Sequence, residues 1–262
     1  MIRFIERLRK KRQPDASNPS QAEQIEAKHA RDLLEQKMKY IELQNQINPH
    51  FLYNTLENIR AQAFIDGNET IADMTEALSR FFRYNISKDN DVVHLSEELD
   101  NIQTYIQIQQ YRFLDRFSFQ IFYHGNEEAV LHCRIPKMTL QPIVENAISH
   151  GVENKIEQCH ISVHIETVEN KLILLVSDDG AGMEEKILDR LRESLSNGET
   201  ATRSEEKQTN GDGIAIANIN KRLKLLYGEE YGITSISSML GIGTEVEITI
   251  PYKAKMDLTL EI

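Results

Sequence analysis

His50 stands between a proline and a phenylalanine in the run Leu43-Gln-Asn-Gln-Ile-Asn-Pro49-His50-Phe-Leu-Tyr-Asn54-Thr-Leu. A neutral imidazole nitrogen is a good nucleophile near neutral pH, and its attack on a terminal phosphoryl group gives a phosphohistidine. Asn54 lies one helical turn later on the same face. It either hydrogen-bonds the imidazole and fixes its tautomer or is a polar residue that sets the register of a helix seam. Further along, Glu145, Asn146 and His150 share one run, Asp178 opens Asp178-Asp179-Gly180-Ala-Gly182-Met183, and glycine pairs recur at Gly211/Gly213 and Gly241/Gly243. Carboxamides and carboxylates ligate hard cations or accept hydrogen bonds from a base, and paired glycines let backbone come close to a ligand.

These residues need elements to hold them. The absence of Gly from Gln21 to about Phe64, with dense charge, predicts a long helix. Leu34, Met38 and Ile41 form one apolar seam, and Leu52, Leu56, Ile59 and Ala63 form another on a shifted phase. Pro49 falls between them and should bend the rod beside His50. Asp66-Gly67-Asn68 ends this helix and caps a second, about 69 to 87, with Ile71, Met74, Leu78 and Phe81 on one face. One hairpin cannot bury its seam alone, so a four-helix bundle in a homodimer is expected. Ser96 is expected to cap a third helix, about 97 to 113.

The texture then changes. Strands are expected over 117 to 123, 130 to 135, 161 to 168, 172 to 176, 233 to 239 and 244 to 250. Helices are expected over 139 to 150, 184 to 195 and 214 to 227, and residues 197 to 213 read as a polar loop. This is an α+β arrangement on a mostly antiparallel sheet.

Composition narrows the function. The chain has 262 residues and a net charge of −11, which a phosphate backbone would repel, so direct nucleic-acid binding is not expected. Its two cysteines, Cys133 and Cys159, belong to no CxxC pair and make no disulfide scaffold. His160 and His164 share a strand face but stand roughly 13 Å apart, too far for one zinc. No apolar run reaches the ~18 residues a membrane span needs. The basic opening MIRFIERLRKKRQ lacks the core of a secretory signal and suits an anionic membrane surface, the end of an upstream span, or equally a plain solvated leader. Neither a Walker-type loop nor the third glycine of a Rossmann fingerprint is present.

Four blocks nevertheless occur in a telling order: Leu140-Gln-Pro-Ile-Val-Glu145-Asn146-Ala-Ile-Ser-His150-Gly151, then Asp178-Asp179-Gly180-Ala-Gly182-Met183, then Gly211-Asp-Gly213-Ile-Ala215-Ile-Ala-Asn218 with Arg222-Leu223, then Gly241-Ile-Gly243-Thr244. Together they resemble the N, G1 and G2 boxes and closing Gly-Thr of the Bergerat ATP-binding fold. The run around His50 is similar to the phospho-acceptor box of the LytS/YesM class of sensor histidine kinases. Leu95-Ser-Glu-Glu-Leu, continuing to Arg112-Phe-Leu-Asp-Arg116-Phe, resembles that class's connector. The resemblance covers about residues 34 to 252.

It implies a multidomain chain. Residues 1–20 would be a basic leader, 21–94 an all-α dimerisation and phospho-acceptor hairpin, and 95–116 a connector helix. An α+β sandwich of Bergerat (HATPase) type would follow over 117–252, with a tail over 253–262. It implies ATP and Mg²⁺ as cofactors. Asn146 would offer its amide oxygen to Mg²⁺ on the ATP phosphates, and Glu145 would hold the metal or its water, or be solvated. His150 and Lys155 would touch phosphate, or His150 would cap a helix end. Asp178 would accept from the adenine amino group. Gly180 and Gly182 would admit the base, Gly211 and Gly213 would bring a lid to the phosphates, and Thr244 would join the adenine network or be a strand residue. Three positions depart from the pattern. Phe51 stands where many histidine kinases carry an acidic proton acceptor, Asp179 replaces the common Asn, and Ala215 replaces the usual Gly.

The function implied is ATP-dependent autophosphorylation of His50 and transfer to an aspartate of a cognate response regulator, of AraC-type or LytTR-type in this class. The chain would work in the cytoplasm, at the inner face of the membrane if its leader binds there. The alternative is a nucleotide-binding dimeric scaffold, a pseudokinase that holds a regulator or partner kinase, for which Ala215 is the support.

Overall fold

The computed structural model describes residues 49–87, 91–152, 157–197 and 212–252, with the backbone alone at 150, 197 and 212–214. The seam of Leu34, Met38 and Ile41, the stretch ahead of Pro49, the leader, the tail, Lys155 and Gly211 lie outside the described residues. The chain divides into two units, Met1–Leu52 and Tyr53–Ile262. Of the first, the described part is the opening of α1 (Pro49–Ile65).

Helix α1 ends on Gly67, whose φ is +67°. The Asn68 N–H reaches the Ala63 carbonyl at 2.8 Å and the Gly67 N–H reaches the Phe64 carbonyl at 3.1 Å, a left-handed C-terminal closure for which glycine is suited. Asn68 then accepts from the Ile71 N–H at 3.1 Å and opens α2 (Glu69–Ile86). An ion pair of 3.0 Å joins Arg60 to Glu76, and the Tyr53 hydroxyl meets the Phe82 carbonyl at 3.4 Å, so the two helices run antiparallel as expected. Ile59, Phe64 and Ile65 of α1 and Ile71 and Met74 of α2 are exposed in the single chain.

The small residues of α2 face elsewhere. Ala72, Thr75, Ala77 and Ser79 are buried, and α2 packs on α3 (Leu95–Phe113), where Phe81 stacks on Tyr105 with ring centroids 5.6 Å apart. The cap of α3 falls earlier than Ser96, because Glu97 accepts from the His94 N–H at 2.8 Å. Leu95, Leu99, Ile102, Ile106 and Phe113 are buried in the same core as Ile161, Leu174 and Ile248, so the expected connector helix is a layer of the α+β unit.

The remaining elements are β1 (Val92–His94), β2 (Phe117–His124), α4 (Glu127–Leu131), β3 (Arg134–Pro136), α5 (Gln141–Asn146), β4 (Cys159–Val168), β5 (Lys171–Asp178), α6 (Glu185–Asn197), α7 (Asp212–Tyr227), β6 (Gly232–Met239) and β7 (Gly243–Pro251). The main sheet has the order β2-β4-β5-β7-β6, with β2 and β4 parallel and the other pairs antiparallel. The strand expected over 130 to 135 is instead α4 followed by β3. Asn126 caps α4 by accepting from the Ala129 N–H at 3.2 Å, and Glu127 and Glu128 favour its first turn. Strand β3 pairs with β1 in a second, two-stranded sheet.

Alternation decides the faces of the main sheet. Val163, Val176, Val246 and Ile236 stand in register across four strands, as do Ile165, Leu174, Ile248 and Ile233, and all are buried. Leu188, Leu191 and Leu195 of α6 and Ile216, Ile219 and Leu223 of α7 belong to the same core. Asn220 is buried between them. It donates to the Leu195 carbonyl at 3.1 Å and accepts from the Ile233 N–H at 2.9 Å. Among the described residues no helix is long and apolar enough to cross a membrane.

Candidate nucleotide site

Asp178 closes β5, directly across the ladder from Thr244 of β7. The chain then turns through Asp179 to Met183. Asp178 is half-buried, and its Oδ1 accepts from the Gly180 N–H at 2.9 Å, so the carboxylate braces its own loop. Asp179 points the other way. Its Oδ1 accepts from the His160 N–H at 2.7 Å and its Oδ2 lies 2.9 Å from His160 Nδ1, which attaches the loop to the edge of β4.

Glycine is obligatory in this loop for steric reasons. A Cβ on Gly180 would lie 2.2 Å from the Gly151 Cα. Gly182 has φ of +65°, and a Cβ there would lie 2.0 Å from the Met239 carbonyl oxygen. A Cβ on Gly243, φ +137°, would lie 1.9 Å from the Asp178 carbonyl oxygen. Three segments therefore touch backbone to backbone: the end of the turn after α5, the loop after β5, and the β6–β7 hairpin. The Gly241 N–H donates to the Ala181 carbonyl at 2.7 Å. The Ser238 hydroxyl accepts from the Met183 N–H at 2.9 Å, donates to the Gly243 carbonyl at 2.9 Å, and lies 2.9 Å from the Thr244 hydroxyl.

Asn146 ends α5, and the helix continues as a π-helical turn, Ala147–Val152, that brings Gly151 onto the loop. The helix expected from Thr139 to His150 thus begins later and widens at its end. Glu145 and Asn146 are both half-buried. The Gln141 amide donates to Glu145 at 2.7 Å, and its carbonyl accepts from Asn101 of α3. The segment that leads into α5 is held by Glu98, a fully buried residue. Its carboxylate accepts from the N–H groups of Met138 at 3.0 Å, Thr139 at 2.8 Å, Leu140 at 3.0 Å and Gln141 at 3.4 Å, and from the Tyr84 hydroxyl at 2.5 Å. Arg222 of α7 donates to the Met138 carbonyl at 2.8 Å and the Thr139 hydroxyl at 3.1 Å. Burial lowers the Arg222 pKa, and Glu98 opposes that shift.

Sequence reasoning passed over Glu98, Tyr84 and Gln141. The signal at Glu98 was a carboxylate interrupting the stripe Leu95, Glu98, Ile102 at helical spacing, which demands a buried partner set. Of the expected site residues, Asp178, Gly180, Gly182 and Thr244 gather in one place with Gly151 and Gly243. Gly213 lies in the first turn of α7, and the backbone of His150 lies in the π-helical turn. His50 is exposed in the first turn of α1, and Asn54 is exposed four residues on.

The residues present fit an adenine nucleotide. The Asp178 carboxylate stands where three backbone segments meet, and a carboxamide and a carboxylate stand on the adjoining helix.

Known proteins carry the same order of parts. Residues 38–117 match the histidine kinase family model, and residues 136–254 match the model of histidine kinase-, DNA gyrase B- and HSP90-like ATPases. The chain is similar to the sensor histidine kinase YesM of Bacillus subtilis, 37% identical over 211 residues, covering 80% of this chain and 33% of that protein. It is 33% identical to the sensor histidine kinase YpdA of Escherichia coli over 231 residues, covering 87% and 37%. It is 35% identical to the sensor protein LytS of Oceanobacillus iheyensis over 236 residues, again covering 87% and 37%. Among solved structures it is similar to the histidine kinase domain of a blue-light-activated kinase of Erythrobacter litoralis, at 13% identity and a TM-score of 0.43, covering 78% of this chain and 94% of that one. The chain spans about a third of the length of the curated relatives it matches. Both domain models match in this order, in a chain similar to the YesM and LytS sensor histidine kinases.

Proposed function

We propose that this chain is the kinase portion of a sensor histidine kinase, which phosphorylates its own His50 from ATP and passes the phosphoryl group to an aspartate of a response regulator. The observation that carries the reading is the close backbone packing of Gly151, Gly180, Gly182 and Gly243 beside Asp178, in a chain that also holds the His50 box. In this reading Asp178 accepts from the adenine amino group, with Thr244 beside it, and Gly180 and Gly182 admit the base. Gly211 and Gly213 bring the lid to the phosphates, and His150 contacts them. Asn146 and Glu145 hold Mg²⁺. When bound, the metal supplies charge neutralisation on the phosphates.

The His50 imidazole nitrogen attacks the γ-phosphorus, the bond to the bridging oxygen breaks, and ADP leaves. Asn54, one turn on, orients the ring. Phe51 offers no proton acceptor, so the imidazole proton passes to another group or to water. The exposed Ile59 of α1 and the exposed Ile71 and Met74 of α2 support a homodimer with a four-helix bundle, since a partner hairpin would cover their apolar area. Regulators of AraC-type or LytTR-type suit the class. A cytoplasmic location, with the basic leader at the inner membrane face, suits the chemistry.

The test is labelling of purified protein by γ-³²P-ATP with Mg²⁺, comparing wild type, His50→Gln and Asn146→Asp. Acid-labile, base-stable label in wild type, absent from both variants, is the expected result. Absence of label from a wild type that binds nucleotide overturns the kinase reading in favour of the scaffold. In that event Ala215→Gly, in the first turn of α7, tests whether the extra methyl is the cause.

A further inference from the structure

Helix α5 is a short platform for Glu145 and Asn146, and the N–H groups of a helix's first turn have no partner within the helix. Here their acceptor comes from about forty residues upstream. Glu98 of α3, with no exposure to solvent, takes the N–H of Gln141, the first residue of α5, and the three N–H groups of Met138, Thr139 and Leu140 that lead into it. The fifth donor on that carboxylate is the Tyr84 hydroxyl, which belongs to the last turn of hairpin helix α2. The same corner is tied a second time. Lys137 Nζ donates to the Ser87 carbonyl at 3.0 Å and the Ser87 hydroxyl at 2.9 Å, and it lies 4.6 Å from the centre of the Tyr84 ring.

We propose that Tyr84 and Glu98 are positioning residues for phosphoryl transfer, joining the last turn of hairpin helix α2 to the head of the helix that carries Glu145 and Asn146. This rests on the kinase reading above for what Asn146 does, but not for the coupling itself. A displacement of α2 pulls on the Glu98 carboxylate, and the carboxylate carries the first turn of α5 with it. Linkage is reciprocal, so nucleotide held at Asn146 must also steady the end of α2. Burial and the adjoining Glu98 keep the Tyr84 phenol well above its ordinary pKa, so it remains a donor throughout the neutral range. Tyr84 and Glu98 touch neither the cradle nor the reacting atoms, which distinguishes positioning from catalysis.

The experiment uses the whole chain, with AMP-PNP and Mg²⁺ as the probe. In wild type the probe should slow hydrogen exchange of the amides at 84–87 by about threefold or more. In Tyr84→Phe the probe should bind at unchanged stoichiometry, yet that protection should vanish. The kcat for His50 labelling should fall about tenfold while KM for ATP stays within about twofold, the worth of one hydrogen bond to a charged group. Glu98→Gln should reproduce the loss of protection, and the double variant should add little to either single change. A wild type without probe-dependent protection at 84–87 overturns the proposal, as does a Tyr84→Phe variant that keeps both protection and kcat. If wild type shows the protection but takes no label, the coupling stands and the kinase reading falls.

Discussion

The Cα of Gly151 lies 2.2 Å from the point at which a side chain on Gly180 would begin, so the turn after Asn146 and the loop after Asp178 meet with no room for a methyl group. Neither backbone can yield without moving the platform beneath it. Gly180→Ala should therefore weaken ATP binding by about tenfold or more, measured by calorimetry. Gly67→Ala is the contrast. Its position has φ of +67° and nothing within 4 Å of a new Cβ, so it should cost about 1 kcal/mol of stability and leave ATP affinity alone. Equal loss of binding in both variants would mean that the cradle has no special part.

Asp178→Asn separates bracing from recognition. The new carboxamide oxygen can still accept from the Gly180 N–H, now 2.9 Å from Oδ1, so the loop and the unfolding midpoint should be retained. The adenine amino group would lose a charged acceptor, and the preference for ATP over GTP should shrink about tenfold. Competition binding with the two nucleotides reads this, and an unaltered preference would remove Asp178 from base recognition.

Asn220→Ala tests the packing beneath the site. The change leaves the Leu195 carbonyl and the Ile233 N–H buried without the partner each has now. Two orphaned backbone groups should lower stability by about 3 kcal/mol in denaturant unfolding. A loss below the value of an ordinary surface substitution would show that water replaces the amide.

Cys133 provides a pH test. Burial raises its thiol from the ordinary 9.0 to about 11, so the folded chain holds the proton after the unfolded chain has released it. This contribution to stability is complete below pH 9 and is lost as pH rises from 9 towards 11. Cys133→Ala should flatten that part of the stability curve. In the native protein a thiol reagent should react with Cys133 far more slowly at pH 8 than in denaturant.

Much was legible along the chain because its cues are local. Gly67-Asn68 ended one helix and opened the next, and alternation marked β4, β5, β6 and β7 within a residue or two. Gly180 and Gly182 are expected from the sequence to admit a base, whereas their contact with Gly151 and Met239 backbone depends on the fold. The order of the four blocks, with the box around His50, carries the resemblance to sensor histidine kinases along the chain. Other features depended on partners far away in sequence. The segment 130–135 has strand residues, but Asn126 and two glutamates made its first half a helix, and only β1 could make its second half a strand.

The sequence by itself determined most of the elements, the resemblance to sensor histidine kinases and the candidate chemistry, because periodicity, caps and short motifs depend on neighbours along the chain. Only the tertiary structure decided that α3 is a wall of the α+β core, that Gly151 presses on Gly180, and that Tyr84 and Glu98 hold the head of α5. A buried carboxylate needs five donors brought together in space, and no local rule names residues forty positions apart as its partners.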